Sequence, residues 1–134
     1  MTFSVLNFIR SAIIYLVIGS TMGVLMAVNP QWGAPLRTAH AHINLLGWVS
    51  MMIFGVGYHV LPRFRGKQLH SEGIAIAQLI LVNIGIVGLA VFSVLFNLYG
   101  GDFFKAVVAI AGAIEVVGIY LFAYNMIRTM ELPR

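Results

Sequence analysis

The sequence contains no cysteine, which excludes disulfides, thiolate metal sites, iron–sulfur clusters and covalent c-type haem attachment. It is also poor in charge. Lys and Arg together number 8 and Asp and Glu only 4, so charged residues make up 9% of 134, against about 25% in a soluble domain. So few charges cannot solvate the surface of a globule this size, and a water-soluble domain is excluded. The 60% hydrophobic content excludes disorder as well. The net charge of +4 has the look of a basic protein. Its basic residues sit between apolar runs, however, so they read as membrane topology signals and not as a nucleic-acid patch. No nucleic-acid partner is expected.

What is abundant is long apolar sequence. Four stretches reach the roughly 20 residues needed to cross hydrocarbon. They run over about residues 11–29, ending at Pro30; 38–61, ending at Pro62; 72–99, following Ser71 as a candidate N-cap; and 103–127, after the break at Gly100-Gly101. Lipid offers backbone groups no water partners, so these segments should be helices. The connections are short. The expected fold is an all-α membrane protein, an antiparallel four-transmembrane-helix bundle forming one domain over 1–134. The first span is too long for a cleaved signal peptide, and no small-residue cleavage motif follows it. No internal repeat or low-complexity segment is visible.

Orientation follows from the Lys and Arg positions. Arg10, Arg63, Arg65, Lys67, Arg128 and Arg134 fall on one side, and only Arg37 and Lys105 on the other. The positive-inside rule places both termini in the cytoplasm of a bacterial-type inner membrane, and the start of the second helix near the outer face.

The four histidines carry the most chemical information. His40 and His42 lie in the first turns of the second helix. His59 lies near its other end, and His70 just before the third helix. At 1.5 Å per residue, His42 and His59 are about 25 Å apart along one helix and cannot share a metal within one chain. The histidines thus form an outer pair and an inner pair. Residues two apart on a helix point about 200° away from each other, so at most one of His40 and His42 faces a given interior. Polar residues at membrane depth are costly and tend to be functional, and a neutral imidazole is a good axial ligand for haem iron. The bland alternative is a pair of headgroup-level histidines bonded to water or lipid.

The surrounding stretch LRTAHAHINLLGWVSMMIFGVGYHVLPRF, residues 36–64, resembles the second transmembrane helix of the haem–copper oxidase superfamily's catalytic subunit, and most of all its nitric oxide reductase branch. In that family an Arg precedes a His by three residues, the His is followed by x-Asn-Leu-Leu, and the His is an axial ligand of the low-spin haem. Arg37-x-x-His40 fits the first feature. His42-Ile43-Asn44-Leu45-Leu46 fits the second over a longer match, so the resemblance favours His42 as the iron ligand with His40 as the fallback. It implies a non-covalent haem b, with Arg37 beside it and the other histidine near a propionate. Trp48, a turn and a half past His42, reads first as ordinary bundle packing and second as a stacking partner of the porphyrin. The family's copper ligands lie on later helices. Four histidines split between two membrane faces cannot supply two haem ligands and three copper ligands in one protomer, so copper is not expected. The resemblance implies a miniature subunit-I-like haem protein for electron transfer or for binding nitric oxide or oxygen, an oxidoreductase only if other parts complete the site. The sixth iron position would stay open or be filled by the same chain or by a neighbouring one. Small residues along helix 2 (Gly47, Ser50, Gly55, Gly57) and helix 3 (Gly85, Gly88, Ala90) permit close approach in a homo-oligomer.

Of the other polar residues, Glu115 is the one acid well inside an apolar run. It is expected to be protonated or paired, either as a proton carrier or bonded across helices to Asn83, Gln78 or Tyr120. Trp32 and Tyr99 on one side, and Tyr120, Tyr124 and Asn125 on the other, read as interfacial anchors. The inner pair His59 and His70, beside Arg63, Arg65 and Lys67, suggests an anionic lipid site, or more weakly a quinone or a second haem. The rival functions are a membrane subunit or assembly factor without cofactor, and a small oligomeric transporter lined by Glu115 and Asn83.

Overall fold

A computed structural model describes residues 1–131; Arg134, counted above for orientation, lies outside them. Among the described residues the chain is all helix and turn, and four apolar helical spans are long enough to cross a membrane. The chain is a multi-pass membrane protein.

Helix α1 (Phe3–Val28) begins eight residues earlier than the hydropathy suggested. Arg10 does not delay it, because the side chain is exposed and a long cation can reach the interface along the helix surface. It ends where Asn29 turns extended ahead of Pro30, as the residue before a proline prefers. A 3₁₀ turn, Pro30–Trp32, leads into α2 (Gly33–His42). There is no break afterwards. A π-helical segment, Ile43–Ser50, carries the chain into α3 (Met51–Phe64). This second span therefore starts about five residues before the expected boundary and runs through Pro62. That proline sits in the last turn, where only one helical hydrogen bond is forfeited.

The stop comes four residues later, at Gly66. With φ of +63°, its N–H donates to Arg63 O at 2.9 Å, and the Lys67 N–H donates to Pro62 O at 2.9 Å. This pair of bonds is a Schellman cap, which needs a left-handed residue at that position. Helix α4 (Glu72–Tyr99) starts as expected: Ser71 Oγ accepts from the Ile74 N–H at 3.2 Å, and Glu72 in the first turn complements the helix dipole. Helix α5 (Asp102–Glu131) follows after Gly100-Gly101, both at positive φ.

Helix α4 is the centre of the bundle, packing on α1, on α2 and most extensively on α5. Its buried positions Ala75, Leu79, Val82, Ile86, Leu89 and Ser93 repeat every three to four residues, the period of one helix face. Towards the end that holds the N-terminus, an aromatic cluster joins three spans. Phe8, Phe54, Tyr58 and Phe122 have ring centroids 4.7–6.0 Å apart in tilted and edge-on pairs. At the same end, Asn125 bridges the start of α4, accepting from Ser71 N at 3.1 Å and donating to Ser71 O at 2.8 Å. Asn125 is fully buried, so it is a helix tie and not an interfacial anchor. The glycines expected to serve a homo-oligomer are used within the chain. Gly47 lies against the Tyr15 ring, Gly55 against Phe8 and Ile9, Gly57 against Phe122 and Gly88 against Ala111.

Candidate functional site

The two outer histidines occupy different environments. His40 faces α1, where a Cβ at Gly23 would lie 3.2 Å from its ring. Asn44, one turn on, covers Gly19 of the same helix. Its Nδ2 donates to the His40 carbonyl at 2.8 Å and lies 3.3 Å from His40 Nδ1. An amide nitrogen only donates, so Nδ1 accepts and a neutral His40 carries its proton on Nε2. In that tautomer Nε2 has no lone pair for a metal. His40 is thus held in the α1 interface by an i, i+4 partner.

His42 is half-buried, and its Nδ1 is buried without a hydrogen-bond partner. A neutral imidazole normally satisfies one donor and one acceptor nitrogen. An apolar cleft of about 330 Å³ lies between α1, α2 and α4, lined by Met22, Ala39, Ile43, Ala90 and Val94 among others; Ile43 follows His42 in the chain, and the His42 ring is not part of the lining. The donor chemistry therefore suits an axial iron ligand, and the neighbouring surface suits an apolar macrocycle. The cleft is too open to enclose a porphyrin by itself.

The π-helical segment begins directly after His42. Ile43 and Gly47 within it and Met51 just after it are buried. Ser50 Oγ donates to Leu45 O, five residues back, at 2.9 Å. Such segments are frequent at functional sites. Trp48 is half-buried and packs against the core. Arg37 is exposed at the outer end.

The inner histidines have separate partners. Arg63 Nη1 donates to both the carbonyl and Nδ1 of His59. The His70 ring meets Tyr124 edge-on at 5.9 Å, and the His70 backbone N–H donates to Thr129 Oγ1 at 3.0 Å. Among the described residues no three His, Asp or Glu side chains gather as a metal-binding group.

Glu115 is 3% exposed, and neither carboxyl oxygen has a hydrogen-bond partner. The expected cross-helix partners are engaged elsewhere or exposed. Tyr58 OH donates to Gln78 Oε1, Tyr15 OH donates to Asn83 Oδ1 at 2.8 Å, and Tyr120 is exposed. The Glu115 side chain instead lies over Gly85.

No protein-family model matches the sequence. The chain is similar to a cytochrome oxidase subunit, and the relative is the Cbb3-type cytochrome c oxidase subunit CcoN1 of Stutzerimonas stutzeri. Identity is 29% over 119 aligned positions, covering 71% of this chain. The chain spans about a quarter of that relative's length, 25%. This similarity supports a distant relationship to that oxidase subunit.

Proposed function

We propose that this chain is a membrane haem b protein in which His42 is an axial iron ligand, serving electron transfer or diatomic gas binding. The observation that carries the reading is the His42 ring: half-buried in a membrane helix, with Nδ1 lacking any partner, while its neighbour His40 is engaged by Asn44. The distant CcoN1 similarity points the same way. When bound, the haem supplies one-electron redox chemistry or a gas-binding iron. The protein's part is to hold and seal it. The His42 imidazole donates to iron. Arg37, five residues earlier at the exposed end, offers a guanidinium fork suited to a propionate. Met22, Ile43 and Val94 provide apolar cover.

The rest of the enclosure comes from outside this segment of chain. A second copy docked on helix 2 through its exposed stripe Leu45, Val49 and Ile53 could supply a second His42, and two histidine ligands would leave no site for a gas. Copper has no place in this reading, since the outer end offers two histidines only.

Protein purified from haem-replete cells is expected to be red, with a Soret band and a reduced-minus-oxidised b-type spectrum. Colourless protein would overturn the proposal in favour of a subunit that binds no cofactor.

The reading also fixes an orientation. With basic residues concentrated at the end that holds Arg10, Arg63, Arg65 and Arg128, both termini are cytoplasmic and His42 lies towards the outer face of an inner membrane. A reporter active only in the periplasm, fused after the last residue, is expected to give no signal. A strong signal would invert the topology and put His42 at the inner face.

A further inference from the structure

The end of the bundle remote from His42 holds a cavity of about 430 Å³ where the start of α1, the last turns of α3 and the start of α4 meet. Its walls combine apolar and charged surface. Tyr58 and Pro62 are buried and form the apolar side. Arg63, Lys67 and His59 bring basic groups, and Glu72 brings a carboxylate. Basic residues alone would describe an anion site. Glu72 changes the requirement. Its Oε1 accepts from the Ser4 N–H at 2.9 Å, but its Oε2 is buried and has no partner. A buried acceptor left unmade is costly, the more so when charged, so the site calls for a ligand that donates to this oxygen as well as accepting from Arg63.

The basic side is oriented for an acceptor. Arg63 uses Nη1 on His59 Nδ1 and on the His59 carbonyl. A guanidinium has five N–H donors, so others remain to meet an oxyanion. Because Arg63 can only donate, His59 Nδ1 accepts, and a neutral His59 keeps its proton on Nε2 as a further donor.

We propose that this cavity binds the head group of an aminophospholipid, with the phosphate on Arg63 and the primary ammonium donating to Glu72 Oε2. The shared chemistry is a phosphodiester linked to a primary amine, which a membrane lipid or a soluble glycerophosphoethanolamine could present. The site lies at the end of the spans, where lipid head groups reside, and its apolar wall of Tyr58 and Pro62 faces the glycerol and upper acyl region. The lipid is the source assigned.

The test is native mass spectrometry of the full chain in detergent, titrated with phosphatidylethanolamine, phosphatidylcholine and phosphatidylglycerol of identical acyl chains. The choline head has the same charges but no N–H, so loss of one charge-assisted hydrogen bond should weaken retention about tenfold relative to ethanolamine. Glu72→Gln should erase the ethanolamine preference while leaving residual phosphate affinity, and Arg63→Gln should weaken all three lipids. Equal retention of choline and ethanolamine lipids would overturn the proposal. Tighter binding of phosphatidylglycerol would replace it with a plain anion site. Competition by glycerophosphoethanolamine at concentrations matching the lipid would make the ligand soluble and also overturn it. Should Glu72→Gln fail to accumulate, the wild-type comparison and Arg63→Gln still decide. None of these readouts involves haem, so the outcome is independent of the reading of His42.

Discussion

Replacing His42 by alanine is expected to remove the haem spectrum, or convert it to a different spin state, while the protein still accumulates in the membrane. The ring is half-buried and its Nδ1 makes no hydrogen bond, so truncation to Ala breaks no polar contact within the chain and the bundle should survive. What is lost is the iron donor. His40→Ala is the paired control. It removes a ring packed on Gly23 and the contact with Asn44 Nδ2, which should lower stability modestly but leave haem bound, with a shifted potential if His40 neighbours a propionate. His59→Ala, about 25 Å away along the same helical span, should leave the spectrum unchanged. Reduced-minus-oxidised spectra of the three variants side by side decide the matter. A bleached His40→Ala beside a red His42→Ala would restore the Arg37-x-x-His40 register. Native spectra from all three would move the iron ligand out of helix 2 altogether.

Gly85→Leu is expected to be the most damaging single change to the fold. A Cβ at Gly85 would lie 3.0 Å from Glu115 N and 3.1 Å from Glu115 Cα. Those are backbone atoms, so only displacement of α5 relieves the contact, and the rest of the leucine adds to the strain. Overpacking of this kind costs about 3 kcal/mol, seen as a lower thermal midpoint in detergent and reduced accumulation. Glu115→Gln serves as its counterpart at the same interface. The amide keeps the shape of a protonated carboxyl, and no partner of Glu115 is lost, so this variant should accumulate like wild type. Failure of Glu115→Gln would show that the carboxylate is charged and paired in the membrane. A tolerated Gly85→Leu would show that α4 and α5 do not approach as closely as described.

The spans themselves were legible because membrane solvation imposes length and composition directly, and Ser71-Glu72 announced the start of α4 by its chemistry. The boundaries that moved did so for local reasons. Arg10 looked like a terminus and is a cation on the exposed helix surface; Pro62 looked like a stop and is a tolerated residue one Schellman cap before the true one. The separation of His40 from His42 followed from helical periodicity alone. What decided between them did not, because the facing residues Gly19 and Gly23 lie in another helix. The π-helical winding after His42 has no signature in Ile43–Ser50, and neither has the close approach of Gly47 to the Tyr15 ring of another helix. The role of Glu72 was invisible for a similar reason: a backbone N–H from Ser4, 68 residues away, bonds its Oε1 and leaves Oε2 without a partner.

The side-chain amides of α4 bear on how the protein is made. Asn83 is met by the Tyr15 hydroxyl of α1 and Gln78 by the Tyr58 hydroxyl of α3, and both tyrosines precede α4 in the chain. In vectorial synthesis, N-terminal segments emerge first, so each amide finds its donor already waiting when α4 enters the bilayer. Glu115 emerges last and lies over Gly85, its carboxyl oxygens without a hydrogen-bond partner among the described residues. The earlier spans thus act as an in-built escort for the two amides that interrupt the most apolar of the four spans, and α5 closes over the finished assembly.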